Sequence, residues 1–395
     1  MEMIMLFEMM RAQSVVQATF IAATLISAFN VQAQPIGYAP DFVSPFLYTG
    51  SGNFSGGWGL QGIKGGDQQG SFVITGTSNV NGVVYSGPVN HGFTSLGSGT
   101  GAWYVMNVPS SINSAASTSI YGPDSLGNGN YNLVGTYTSS TNSNTYSFIY
   151  TGPLTSTPQA SSFITVQAKY PNGQPAQFTI LHSVSGGLAA GNYGSPNSLL
   201  GNAFIYDPQN LSRPQTDLQF PSREKSYSVY GIWHNGGNSY TVAGGVSGGL
   251  IDKKSGEPVT LSYLMDYDRS TGLTSNFQAF QYKPVGAAKR YFNNDAVITH
   301  FEGIWSDGKG LYKLPATATS FTGGLSIAVT AQVVRRPSGN FSTSASWKQI
   351  ILPGSTFATN DSIFGDTSLG VVEYPAPTGS SSSIFTNYVV TPIQK

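Results

Sequence analysis

Residues Val229 to Gly244 read VYGIWHNGGNSYTVAG, an apolar run that enters a polar, glycine-rich turn, then a second run that ends in a small residue and glycine. Apolar segments separated by a short turn rich in Gly and Asn are typical of two adjacent β-strands. Both halves return elsewhere in the chain. The first half returns at Ile120–Asp124, Ile304–Gly308 and Ile363–Asp366, and the second at Val73–Gly76, Val134–Gly135 and Ala190–Gly191.

Two further elements follow in the same order. One is an apolar and aromatic strand before a turn, at Val84–Pro88, Phe148–Pro153 and Phe204–Pro208, with weaker copies at Leu264–Asp268 and Val333–Pro337. The other is a strand that stops at proline, at Trp103–Pro109, Phe163–Pro171, Leu218–Pro221, Phe277–Pro284 and Trp347–Pro353. Proline offers no N–H to a strand ladder and therefore marks strand ends. The chain repeats a four-strand module about every sixty residues.

Four-stranded modules at a fixed period predict an all-β fold, a β-propeller in which each sheet packs against its neighbours. Six four-stranded blades of about sixty residues account for one domain over residues 34–395. The last blade ends after its third strand, near Ser383–Val390. We expect the isolated segment Phe42–Tyr48 to supply its fourth strand and close the ring. A β-solenoid or adhesin-like stack is the main alternative, although its coils usually repeat at a shorter period.

The modules also share the patterns Gly-Ile-x-x-x-Gly, Val-x-Gly and Ala-Phe-Ile-Tyr-Asp, which are clearest at Leu181–Asp207 and Val229–Gly244. These patterns resemble the HAF-type repeats of bacterial extracellular proteins. The fifth module departs from them, because Leu311–Ala316 lacks the glycine. The resemblance implies export and a propeller-like shape, and it implies no particular activity.

Residues 1–33 are predicted to be a secretory signal peptide. An apolar stretch covers residues 15–29, and Val31-Gln32-Ala33 follows the small-x-small rule for cleavage. Glu2 and Glu8 make the start acidic where a basic region is expected, so a membrane anchor or a mis-assigned start is the alternative. We therefore expect a secreted, periplasmic or cell-surface protein with no membrane span after the signal is removed.

Composition excludes several classes of function. Only 9% of the residues are charged, the formal net charge is zero, and Lys and Arg form no cluster, so we expect no nucleic-acid partner. The chain has no cysteine, which removes disulfides and thiolate nucleophiles. The four histidines do not have the spacing of a zinc site. We expect a monomer. Composition assigns no cofactor, and calcium enters only with the hydrolase hypothesis below.

The charged residues that are present concentrate in one region. Between Arg213 and Arg336 lie 22 of the 36 charged residues, so an active site would draw mainly on the fourth and fifth modules. The candidate catalytic bases there are His234 and His300. The candidate metal ligands are Asp266, Glu302 and Asp307. The alternative interpretation is that Asp, Asn and His at hairpin tips only serve turn geometry.

Trp233 and Trp305 occupy equivalent repeat positions, so a closed ring would place them on one face in adjacent blades. With Asp307 they are the candidate ligand-binding residues for a small molecule or glycan, although a tryptophan at a repeat position also suits blade packing. The first functional hypothesis is a secreted propeller that binds an extracellular ligand, either surface polysaccharide or protein.

A second hypothesis is a hydrolase that resembles the six-bladed propeller lactonases and esterases. That resemblance implies a channel calcium that polarises a carbonyl, with a histidine as base. A purely structural envelope protein is the third possibility.

Overall fold

The computed structural model describes residues 59–89, 101–195, 198–222, 226–251, 256, 259–284, 297–320, 326–350, 352, 354–375 and 384–390. Over these residues the chain forms β-strands and one 3₁₀ turn, Ala160–Ser162. Within the same ranges, no helix is long and apolar enough to cross a membrane. The predicted signal peptide and the segment Phe42–Tyr48 lie outside the described residues.

The first two sheets contain twelve strands, paired antiparallel except at one parallel junction. The first sheet contains β1 (Leu60–Gly65), β2 (Ser71–Ser78), β3 (Asn81–Pro88) and β4 (Ala102–Val105). The second contains β5 (Ala115–Gly127), β6 (Asn130–Ser139), β7 (Thr145–Pro153), β8 (Phe163–Val166), β9 (Phe178–Ser185), β10 (Leu188–Ser195), β11 (Ser198–Tyr206) and β12 (Gln215–Asp217). The second sheet is two four-stranded meanders, β5–β8 and β9–β12, joined where Thr145 pairs with Phe178 in parallel.

Three further sheets follow. The third contains β13 (Ser226–Gly236), β14 (Ser239–Ser247), β15 (Leu261–Asp268) and β16 (Leu273–Phe280). The fourth contains β17 (Val297–Phe301), β18 (Trp305–Ser306), β19 (Leu311–Ser320), β20 (Ser326–Val334) and β21 (Ser346–Ile350). The fifth contains β22 (Phe357–Ala358), β23 (Ser362–Phe364), β24 (Thr367–Tyr374) and β25 (Ile384–Val390).

The hydrophobic cores lie between units that follow one another in the chain. Each core joins side chains of two four-stranded units, as Val73 of β2 does with Leu133 of β6, and as Ala243 of β14 does with Leu314 of β19. One further core joins the first sheet to the fifth, where Ile74 lies in a cluster with Leu369. The sheets therefore pack face to face, which is the physical basis of a propeller-like arrangement.

The predicted repeat coincides with the strands. The repeated glycines lie in the second strand of each unit, and the segments that open each module lie in β5, β13, β18 and β23. Tyr85 and Tyr150, which precede equivalent Gly-Pro turns, each donate a hydroxyl hydrogen bond to the carbonyl of the turn proline. The all-β class and the propeller-like arrangement are confirmed.

Two strand positions differ from the expectation. The strand predicted at Leu218–Pro221 lies slightly earlier, at β12. In the fifth module the first strand is split into β17 and β18, because Pro315 of β19 has no N–H to donate and only accepts a hydrogen bond from the N–H of Glu302. The segment that lacks the repeated glycine, Leu311–Ala316, also lies in β19.

Candidate functional site

The first strands of neighbouring units approach each other closely. β1 contacts β5, β5 contacts β9, β9 contacts β13, and β1 also contacts β23. The N–H of Ile63 donates to Ser362 Oγ at 3.2 Å, which joins the first and fifth sheets. A Cβ at Gly231 would lie 2.8 Å from the carbonyl carbon of Gly303, so only glycine permits this approach. Side chains from different sheets consequently meet at the ends of these strands.

A β-bulge recurs in the first strands. The bulged residues of β5, β9 and β13 are Tyr121, His182 and Tyr230. Their rings are neighbours, with centroid distances of 5.3 Å between Tyr121 and His182 and 4.6 Å between His182 and Tyr230. His300 of β17 continues the row at 5.0 Å from Tyr230. Bulges re-aim side chains and are frequent beside functional sites, and here they build an aromatic belt of Tyr121, His182, Tyr230 and His300.

A second group of side chains lies about three residues beyond these bulges along the first strands. We call Lys64, Asp124, Trp233, His234 and Trp305 the central cluster. The Lys64 ammonium of β1 lies 4.5 Å from the ring centroid of Trp233 in β13. Trp233 and Trp305 are in edge-to-face contact, with centroids 6.3 Å apart and planes at 64°. The structure therefore brings together the two tryptophans that the sequence placed at equivalent positions.

Lys64 and Asp124 are partly buried and influence each other's protonation. Burial lowers the pKa of the Lys64 ammonium, and the charge of Asp124 partly offsets that effect. Burial raises the pKa of the Asp124 carboxyl. Three effects partly offset this rise: the charge of Lys64, a hydrogen bond from the N–H of Gly186 at 3.0 Å, and the charge of His234. Both charged forms are thus less stable here than in water.

The imidazole of His234 is engaged within its own hairpin. Its Nε2 lies 2.9 Å from the carbonyl oxygen of Gly237, and its ring stacks on Tyr240 with centroids 4.7 Å apart. A carbonyl accepts only from a protonated nitrogen, so Nε2 carries the proton in this contact. These contacts agree with the turn-forming interpretation of His234.

His300 has a different environment. Its Nε2 lies 2.8 Å from Glu302 Oε1, and the Glu302 side chain is only 4% exposed. A carboxylate at this distance can form an ion pair with an imidazole when the ring is protonated. The structure thus pairs one predicted base with one predicted metal ligand beside the aromatic belt.

The predicted metal ligands are not brought together. Asp266 of β15 accepts two hydrogen bonds from the Arg335 guanidinium, at 2.6 and 2.7 Å. Asp307 is exposed in a turn and accepts hydrogen bonds from the N–H groups of Lys309 and Leu311, which lower the pKa of its carboxyl. Among the described residues, no group of three His, Asp or Glu side chains has an arrangement that could hold a metal ion.

The sequence interpretation missed Lys64 and Asp124, which lie in the charge-poor first half of the chain. A signal for them exists, because Gly62-Ile63-Lys64 and Gly122-Pro123-Asp124 align with Gly231-Ile232-Trp233 and Gly303-Ile304-Trp305. The residue two positions after the small residue faces the same cluster in each case. Without this alignment, nothing in the triplet Gly62-Ile63-Lys64 marks its lysine as a site residue.

Neither a known family model nor any curated protein matches the chain. Two solved structures are similar to it in outline. The exo-1,5-α-L-arabinanase from a bovine ruminal metagenomic library covers 84% of this chain and 92% of its own, at 11% identity and a TM-score of 0.31. The tricorn protease covers 86% of this chain and 48% of its own, at 8% identity and a TM-score of 0.18. Likenesses at this level define no family for the chain.

Proposed function

We propose that the four-stranded units number six and form a closed ring. The core shared by the first and fifth sheets supports closure, as does the hydrogen bond from the N–H of Leu60 to Asn387 Oδ1 at 2.8 Å. Within the described part of the chain, β25 pairs with β24 alone, which leaves room for a fourth strand in the last blade. In this proposal the segment Phe42–Tyr48 fills that position.

Removal of residues 34–50 tests the closure. We expect the shortened protein to aggregate through the uncovered edge of β25, and a synthetic peptide of residues 40–50 to restore its solubility. Size-exclusion chromatography with light scattering measures both effects. Equal solubility and thermal stability of the full and shortened proteins would refute the closing strand.

We further propose that the protein is an exported saccharide-binding propeller, with the central cluster as its site. One observation carries this proposal: Lys64, Trp233 and Trp305 come from three different sheets, are each partly buried, and are joined through contacts to the Trp233 ring. Aromatic rings beside hydrogen-bond donors suit the apolar faces and hydroxyl groups of a sugar. Export rests on the predicted signal peptide of residues 1–33.

Binding to immobilised and soluble glycans tests this function. We expect Trp233→Ala and Trp305→Ala each to weaken the affinity for a bound saccharide by about tenfold or more. Trp347→Ala is the matched control, because the ring contacts of Trp347 are with Tyr282 and Phe301 and not with a member of the central cluster. An affinity that is unchanged in both cluster variants would exclude this site.

A second candidate function is the hydrolysis of lactones or esters, with calcium as an assisting ion. The 2.8 Å contact between His300 Nε2 and Glu302 Oε1 favours it, because a histidine beside a buried carboxylate is suited to act as a general base. Assays with acyl lactones and simple esters test it. We expect Glu302→Gln and His300→Ala to abolish turnover and EDTA to reduce it; absence of turnover in the wild-type protein with added calcium would refute it.

A further inference from the structure

Lys64 is a partly buried lysine whose ammonium has no hydrogen-bond acceptor among the described residues. Its ammonium group carries three donors, yet none of the described residues accepts a hydrogen bond from it, and its one close contact is the face of Trp233. Asp124 attracts it from beyond ion-pair distance. The side chain is partly exposed and its ammonium keeps some contact with solvent, so the charge has given up part of its water without an acceptor among the described residues in exchange.

Lys313 provides an internal comparison. Its ammonium lies 4.9 Å from the ring centroid of Trp305, in the same kind of contact that Lys64 makes with Trp233. Lys313 also pairs with the carboxylate of Asp366. Of two lysines that cap adjacent tryptophans, one therefore has a carboxylate partner within the protein and the other does not.

We propose that the missing partner of Lys64 is a carboxylate on the ligand, and that the central cluster binds an acidic saccharide containing uronic acid. This inference rests on the proposed saccharide site. The sugar carboxylate accepts hydrogen bonds from the Lys64 ammonium, as Asp366 does from Lys313. The ammonium then shifts toward the ligand and uncovers the face of Trp233 for the sugar ring.

The local charges are consistent with one bound carboxylate. Lys313 is already paired, so Lys64 contributes the cationic group that is left for a ligand in the central cluster. The Oδ2 atom of Asp124 accepts a hydrogen bond from the N–H of Gly186. Burial lowers the pKa of Lys64, so a bound anion would restore the stability of its charged form.

Matched ligands test the inference. Uronic-acid oligosaccharides with glucuronate, galacturonate or mannuronate units are compared by calorimetry with the same oligosaccharides after reduction of each carboxyl to an alcohol. We expect the full-length protein to bind an acidic member at least about tenfold more tightly than its reduced counterpart. Lys64→Met should remove that preference, so that the acidic and the reduced sugar bind to this variant with affinities within about twofold of each other. Lys169→Met, at an exposed position remote from the cluster, should retain the preference.

A second measurement follows the contact itself. Displacement of Lys64 from Trp233 should change tryptophan fluorescence when the acidic sugar binds, and Trp233→Phe should remove that change. Equal affinity for acidic and reduced sugars would overturn the inference while leaving the saccharide site intact. A preference for acidic sugars that survives in Lys64→Met would also overturn it. Failure of every saccharide to bind would refute the proposed function and the inference together.

Discussion

Replacing Lys64 with methionine should make the protein more stable. Methionine has nearly the length of lysine and no charge, so it can keep the contact with Trp233 while removing an ammonium that lacks an acceptor among the described residues. Most substitutions of recessed side chains destabilise a fold. A gain in stability would identify Lys64 as a residue that the fold keeps at a cost, as expected at a binding site.

The magnitude follows from two opposing effects. Relief of a partly desolvated ammonium without an acceptor is worth at most about 1–3 kcal/mol, and the loss of an ammonium contact with an indole costs about 0.5–2 kcal/mol. We therefore expect Lys64→Met to raise the free energy of unfolding by about 1 kcal/mol. Lys313→Met, which breaks the pair with Asp366 and the contact with Trp305, should lower it by about 1 kcal/mol.

Urea unfolding of the two variants at neutral pH measures these differences. Because the folded-state pKa of Lys64 lies below its ordinary value of 10.5, the penalty is full below the folded-state pKa and is lost as the pH rises to 10.5. The advantage of Lys64→Met should shrink over the same interval. Equal destabilisation by Lys64→Met and Lys313→Met would refute the reasoning.

Three further predictions concern the same region. Because the pKa of Asp124 is raised above 3.8, wild-type stability should fall as the pH rises from 3.8 through its folded-state pKa, and Asp124→Asn should flatten that part of the stability profile measured by thermal melts. Arg335→Met should lower the free energy of unfolding by about 3 kcal/mol, because it leaves the Asp266 carboxylate without its charged partner, with hydrogen bonds from Asn276 and Thr241 alone; a double-mutant cycle with Asp266→Asn that shows no coupling would contradict this. Gly231→Ala should lower it by about 1–3 kcal/mol, because the new methyl group meets the neighbouring first strand, and unchanged urea unfolding would contradict that close approach.

The strands could be predicted from the sequence because their signals are local. Alternating apolar residues, turn glycines and strand-ending prolines act within a few residues of one another, so β2, β6, β10 and β14 fall where the repeated glycines predict them. The split of the fifth module's first strand could not be predicted in this way. It depends on Pro315 in the neighbouring strand, which has no N–H for the ladder.

The same distinction between local signals and tertiary contacts applies to the candidate site. Trp233 and Trp305 were predicted to be neighbours because they occupy equivalent repeat positions, and the structure joins them. The chemistry of the cluster was decided by the tertiary structure alone, because Lys64 reaches Trp233 from a strand far away in the chain. Sequence determined that this is an all-β chain of repeated four-strand modules. Only the packing of sheet against sheet decided that one ammonium would be partly buried with no acceptor among the described residues, because the energy of a charge depends on every group around it.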